Sequence, residues 1–278
     1  MRSKLLVIFA LCFFALSVIS IAQETTTDAP KDIIGTLQSH RLVNYLPDLG
    51  GRKITIAIEN EYPPFNNINS DGVGEGWDYD AIKEICARLN CDPHFNEVAW
   101  TDLIPSVSNG TFDVGANGIT RLAARYELVD FSMPFVTLRQ VLIIRRNDER
   151  FTTLEELVAS DAKIWAPEGT TNYDLAVALV GENRAEATRL EVDAIINQVI
   201  SGEIDAFIFD SVSAHNFLLE NSDILTTFPE PISDIEELAF VFPNNSELTA
   251  AFNLAIETMR LDGTLLELNT KWFTEAGS

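Results

Sequence analysis

The chain has 278 residues, 46% of them hydrophobic, and carries 42 acidic against 19 basic side chains for a formal net charge of −23. At roughly 150 residues per domain this length predicts about two domains, and the apolar fraction excludes wholesale disorder. So acidic a chain repels nucleic acid and anionic lipid, which weighs against a role on DNA, RNA or an anionic membrane; the excess acid reads as a solvated, soluble surface.

Arg2 and Lys4 precede an uncharged apolar run over residues 5–22, and Ser20 and Ala22 are small residues at the −3 and −1 positions of a cut after Ala22. This predicts a secretory signal peptide over 1–22 and a periplasmic or extracellular location. The run is also long enough to stay as an uncleaved membrane anchor, which is the alternative. Cys12 lies inside the run, so its position is not that of a lipidated cysteine. Residues 23–51 read as an N-terminal extension. Residues 23–30 are polar, and 33–49 carry scattered apolar side chains without a period, expected to pack loosely or stay extended.

The body alternates strand and helix. Residues 54–58 form a β-branched strand, 78–89 a helix with Ile82, Ile85 and Leu89 on one face, 95–99 a strand, 101–108 a helix stopped by Gly110, and 112–116 a third strand. That order is the pattern of a parallel α/β sheet. After Pro134 the alternation restarts. Strand 141–144 is followed by helix 154–159 with Thr152 or Thr153 as its cap, strand 163–166, and a helix over 173–180 ending at Gly181. Val192, Ile195, Ile196, Val199 and Ile200 then repeat at helical spacing before Gly202. A strand over 206–209 comes next, and two tail helices are marked by Leu248, Phe252, Ile256 and Met259 and by residues 265–272. The expectation is two α/β lobes.

The inventory argues against most catalysis. The three histidines, His40, His94 and His215, form no His-x-x-x-His pair, and no Gly-x-Ser-x-Gly elbow occurs. Gly72, Gly74 and Gly76 lack dinucleotide spacing. Asn67, Asn69, Asp71, Gly72 and Asp78 loosely copy a calcium loop, but the first ligand is Asn and the last is not Glu, so a hairpin turn is the reading. Cys86 and Cys91, five apart, fit either a disulfide or two packed thiols. No catalytic residue, metal or cofactor is expected.

Seven segments, in order over residues 53–274, carry a family resemblance. They are the run from Glu59 through Tyr62 to Phe65; Gly76-Trp77-Asp78-Tyr79-Asp80; Trp100-Thr101-Asp102-Leu103-Ile104-Pro105; Gly110 to Val114 followed by Gly118-Ile119-Thr120; Val129-Asp130-Phe131-Ser132-Met133-Pro134-Phe135; Gly202 to Ala206 with Asp210; and Asp262 to Leu265 with Lys271-Trp272-Phe273. Together they resemble the extracellular solute-binding proteins, family 3, that serve polar amino-acid ABC importers.

The resemblance implies a two-lobed periplasmic-binding-protein-like (type II) fold with a ligand cleft. Lobe one would span 52–137 and 240–278, and lobe two 138–239. It implies a monomer that binds an amino acid and docks to an ABC permease. Tyr62 and Trp100 match the aromatic walls around the ligand side chain, and Gly118 and Thr120 the groups that meet its carboxylate and ammonium. Arg125 matches the carboxylate clamp, Asp210 the ammonium acceptor, and Thr170 and Thr171 the donors at a helix start. Glu59 matches an acid that takes a nitrogen-bearing side chain, so Lys, Arg, His or Gln is the expected ligand. The chemistry is apt: Arg forks onto a carboxylate, Asp accepts from an ammonium, and a helix N-terminus adds donors. The sequence departs from the family where Thr120 to Arg125 lacks two polar groups, which lets Arg121 compete as the clamp, and at Asn117 and Pro167. An enzyme on the same fold, like a cyclohexadienyl dehydratase, is the alternative.

Overall fold

A computed structural model describes residues 42–228 and 231–273. The expected signal peptide, and residues 23–41 of the expected extension, lie outside the described residues. In chain order the first part comprises β1 (Arg52–Ile58), β2 (Glu61–Tyr62), β3 (Asn66–Ile68), β4 (Gly74–Glu75), α1 (Trp77–Leu89), β5 (Cys91–Glu97), α2 (Trp100–Ser108), β6 (Val114–Thr120), β7 (Val129–Phe131) and β8 (Val136–Leu138). The middle comprises β9 (Gln140–Arg145), α3 (Leu154–Ala159), β10 (Ile164–Pro167), α4 (Thr171–Val180), β11 (Ala185–Thr188), α5 (Val192–Ser201), β12 (Ala206–Asp210), α6 (Ser211–Glu220) and β13 (Leu225–Thr227). The chain ends in β14 (Glu236–Pro243), α7 (Glu247–Asp262) and α8 (Thr264–Trp272).

Two sheets result. The first has the order β5-β1-β6-β14-β7, with β8 also on β14, and the second β11-β10-β12-β9-β13. β1 pairs parallel with β5 and β6, while β14 runs antiparallel to β6, β7 and β8. A strand covered on both faces reads as a continuous buried run. Ile56, Ala57 and Ile58 of β1, and every residue of β6, are buried. The chain leaves the first sheet after Leu138 and re-enters it at Glu236, whose register partner is Leu138 itself. Two adjacent crossings therefore form the joint between the lobes, and β14 begins before residue 240.

Helix α1 shows how the first lobe closes. Gly76 sits at φ 130°, and a Cβ there would meet Phe65 O at 2.3 Å, so only glycine lets the helix start against the loop below it. Ile82, Ile85 and Leu89 pack with Leu248, Phe252 and Ile256 of α7. Trp77 Nε1 donates to Asn269 Oδ1 of α8 at 2.7 Å, and Arg88 donates to Thr258 Oγ1, Asp262 Oδ2 and Thr264 Oγ1 at 2.8, 2.8 and 2.9 Å. The tail thus returns to the first lobe. Asn90 caps α1 in the left-handed region, and a Cys86–Cys91 disulfide spans that turn. In the second lobe Ile195, Ile196 and Val199 of α5 are buried as the period predicts, and Gly202 ends the helix in the left-handed region.

Several elements differ from the sequence reading. β5 covers Cys91–Glu97 rather than 95–99, because this half-buried edge strand takes its register from β1 rather than from apolar alternation. β6 runs on to Thr120 through Asn117 and Gly118, residues of poor strand propensity, and β14 pairs with this far end at Ile119 and Thr120. Residues 42–49 are not loose: Leu46 and Leu49 pack on the first core, and Leu49 N–H donates to Leu89 O. Thr153, not Thr152, caps α3. The glycine-rich stretch is a β3–β4 hairpin whose turn is closed by Asn69 Oδ1, which accepts from the N–H groups of Asp71 and Val73. Asp78 points into the core onto Asn66 Nδ2 at 2.9 Å.

Candidate ligand-binding cleft

A cleft of about 390 Å³ lies between the lobes, within the size range of small-molecule sites. Glu59, Tyr62, Trp100, Gly118, Thr120, Arg125, Thr170, Thr171 and Asp210 all line it. The first lobe supplies the loop after β1, the start of α2, the end of β6 and the short turn Arg125–Glu127; the second supplies the start of α4 and the junction of β12 with α6.

Each side chain is placed by local structure. Gly118 has φ 54°, and a Cβ there would stand 2.6 Å from the Tyr62 ring, so the aromatic wall rests on a bare backbone. Tyr62 stacks on Phe65 at 4.9 Å and meets the edge of Phe209 at 5.8 Å. Its hydroxyl donates across the cleft to Asp210 Oδ2, and Asn172 Nδ2 donates to Asp210 Oδ1 at 2.8 Å. Burial pushes the Asp210 carboxyl up to about 6 against the pull of these two donors. Trp100 Nε1 donates to Gly169 O at 3.0 Å, a second bond between the lobes. Arg125 stands over the Trp100 ring at 5.3 Å and donates to Thr120 O at 3.0 Å. Burial lowers its pKa, opposed by Asp174, Glu236 and Asp210. Thr170 caps α4, its Oγ1 accepting from Tyr173 N–H.

Arg121 turns away from the cleft. It turns to Glu237 and to Tyr126 Oη, leaving Arg125 alone of the two in the cleft. Glu59 does not point to solvent. Its carboxylate accepts from Asn117 Nδ2 at 3.1 Å and from Trp100 N–H at 3.3 Å, and Asn117 Oδ1 accepts in turn from Glu59 N–H. Burial holds this carboxyl above the ordinary range.

Sequence reasoning missed several lining residues. Glu61 and Glu191 line the cleft from different lobes, and their carboxyls meet within hydrogen-bond reach. The Glu61 carboxyl is raised by partial burial first, then by the charges of Glu191 and Glu59. No Lys or Arg forms a salt bridge with Glu59, Glu61 or Glu191 among the described residues, whereas Arg189 is occupied by Glu168. Glu61 follows directly from the matched loop and could have been singled out there. Glu191 had no signal, because only packing of the α5 start against the cleft places it.

Comparison with known proteins decides the family. Residues 54–275 match the model of the bacterial extracellular solute-binding proteins, family 3. The chain belongs to that family. Among its relatives, a probable histidine-binding protein of Neisseria gonorrhoeae is 25% identical over 82% of this chain and 85% of its own length. The L-cystine-binding protein TcyJ of Escherichia coli (strain K12) is 26% identical over 84% and 86%. A solved ancestral arginine-binding protein bound to glutamine superposes with a TM-score of 0.71 at 26% identity, covering 80% of this chain and 98% of its own. These family 3 relatives are named as binding proteins, not enzymes, and the two-lobed α/β fold is theirs.

Proposed function

We propose that this protein captures an amino acid with a cationic or polar side chain outside the cytoplasm and hands it to an ABC import permease, acting as a monomer and by binding alone. In this reading Arg125, with Thr120, Thr171 and the α4 N-terminus, receives the α-carboxylate, and Asp210 receives the α-ammonium. Tyr62 and Trp100 flank the side chain. The observation that carries the side-chain preference is the meeting of Glu61 and Glu191 in the cleft, with Glu59 near them and no Lys or Arg in a salt bridge to any of the three among the described residues. Like charges brought together by closure repel, and a cationic or donor-bearing side chain between them removes that cost. Because the lining comes from both lobes, a ligand touches all of it only when they are closed, so binding shifts the open–closed equilibrium. Secretion by the 1–22 segment would bring the protein to that compartment.

The deciding experiment is a calorimetric competition series on the mature protein with arginine, lysine, histidine, glutamine, cystine and glutamate. Tightest binding is expected for arginine, lysine, histidine or glutamine. Tightest binding of glutamate, or of a purely aliphatic amino acid, would overturn the side-chain assignment, and no amino acid binding at all would overturn the function.

A further inference from the structure

Glu236 is the first residue of β14, at the point where the chain re-enters the first sheet. Its Oε2 accepts from Thr120 Oγ1, the last residue of β6 in the first lobe, at 2.9 Å. The same oxygen accepts from Thr171 Oγ1, the first residue of α4 in the second lobe, at 3.2 Å. Its Oε1 accepts from Gln140 Nε2, on the other crossing strand, and that amide also donates to Thr171 Oγ1 at 2.9 Å. Glu236 therefore joins the two lobes and both strands of the joint through a single carboxylate. Thr120 is 6% exposed and Gln140 1% exposed, so these donors are withdrawn from bulk water and a released one is not simply resolvated.

The donors matter more than the tie. Thr120 and Thr171 are the hydroxyls that the proposed function gives to the ligand's α-carboxylate. A hydroxyl donates one hydrogen. It cannot serve Glu236 and an incoming carboxylate together, and two carboxylates on one oxygen-sized site repel. Glu236 is among the acids whose charge acts on Arg125, the cation of this part of the cleft. Thr171 also opens α4, and a helix N-terminus favours an anion beside it.

We propose that Glu236 is an internal stand-in for the ligand's carboxylate: it holds the Thr120 and Thr171 hydroxyls, ties the lobes together before ligand arrives, and must let go of them when an α-carboxylate binds. The proposal rests on the carboxylate placement given above, but its first consequence does not need a ligand at all. A second consequence is selective. The competition falls on ligands that bring a carboxylate and spares those that do not, so Glu236 sets how strongly the protein distinguishes an amino acid from its decarboxylated amine.

Two measurements on Glu236→Gln and Glu236→Ala test this. Small-angle scattering of the ligand-free mature protein should show a larger radius of gyration in both variants, and in Thr171→Val, which removes a donor while leaving Glu236 in place. Unchanged scattering in variants whose thermal melts confirm folding overturns the tie, whatever the protein binds. Calorimetry with arginine and with agmatine, which is arginine without its carboxylate, then reads the competition. The affinity ratio of arginine to agmatine should rise tenfold or more in Glu236→Gln, with agmatine itself changed by less than about threefold, which is under ~1 kcal/mol. Equal changes for both ligands mean a merely structural hinge and overturn the stand-in role. If neither ligand binds the wild type, the functional reading fails while the scattering result still decides whether Glu236 holds the lobes.

Discussion

The Tyr62 hydroxyl donates to Asp210 Oδ2, binding β2 of one lobe to the junction of β12 with α6 in the other. An ammonium that reaches Asp210 therefore joins a carboxylate already held by Tyr62 and Asn172, and meets it oriented rather than free. Asp210→Asn keeps the size and removes the charge; Arg125→Ala removes the opposite charge. Each should weaken amino-acid binding by about 2–5 kcal/mol, the cost of leaving a desolvated ligand charge unpaired. Calorimetry on variants with unchanged melting temperature checks it, and binding within threefold of wild type would refute the assignment of the residue concerned.

Binding should depend on pH through Asp210. Its carboxyl is pushed up to about 6, and an ammonium needs it ionised. Affinity is then flat above pH 6 and falls below it, by at most about tenfold per pH unit. A bound cation lowers that pKa, so binding at pH 5 to 6 releases a proton. Titrations in two buffers of different ionisation enthalpy measure the release; none in that window in wild type, or the same release in Asp210→Asn, would count against Asp210 as the group.

Stability should depend on pH through Asp78. This aspartate is fully buried, with Asn66 as its side-chain donor, and burial raises its pKa to about 7. The folded state holds the proton more tightly than the unfolded one, so this contribution is complete below about pH 4 and is lost as pH rises to 7, with no further change above. The loss is of the order of a few kcal/mol. Asp78→Asn cannot ionise. Its melting temperature relative to wild type should therefore climb between pH 4 and 7, and a difference independent of pH would contradict the buried titration.

Selectivity should sit on the acid walls. Glu191→Gln and Glu61→Gln each replace one of the two carboxyls that meet in the cleft. Both should reduce the preference for arginine or lysine over glutamine by about tenfold, or ~1.4 kcal/mol. Glu59→Gln should do less to that ratio and more to overall affinity, since Glu59 is fixed by Asn117 and the Trp100 N–H. A competition assay of lysine against glutamine separates the two effects.

Periodicity and punctuation in the sequence determined most of the helices, though not α6 over Ser211–Glu220. Val192 to Ile200 at helical spacing, with Gly202 behind them, needed no partner to be read, because amphipathic spacing and a left-handed stop are local properties. The ordered motifs from Glu59 to Phe273 held Glu59, Tyr62, Trp100, Gly118, Thr120 and Asp210 and gave the frame in which Arg125, Thr170 and Thr171 were matched between them, since a family's ligand loops keep their residue types in a fixed order. Pairing and closure were decided only by the tertiary structure. The buried run of β14 from Leu238 to Phe242 is apolar enough to suggest a strand, yet its place between β6 and β7 is a contact across more than a hundred residues of chain. Which of Arg121 and Arg125 lines the cleft was set by Glu237 and Tyr126, which draw Arg121 away. Glu191 and Glu236 are ordinary acids in an acidic sequence. Only the folding of two lobes about a joint brings one opposite Glu61 and the other onto Thr120 and Thr171, because charge and hydrogen bonding act over a few ångströms of space and not along the chain.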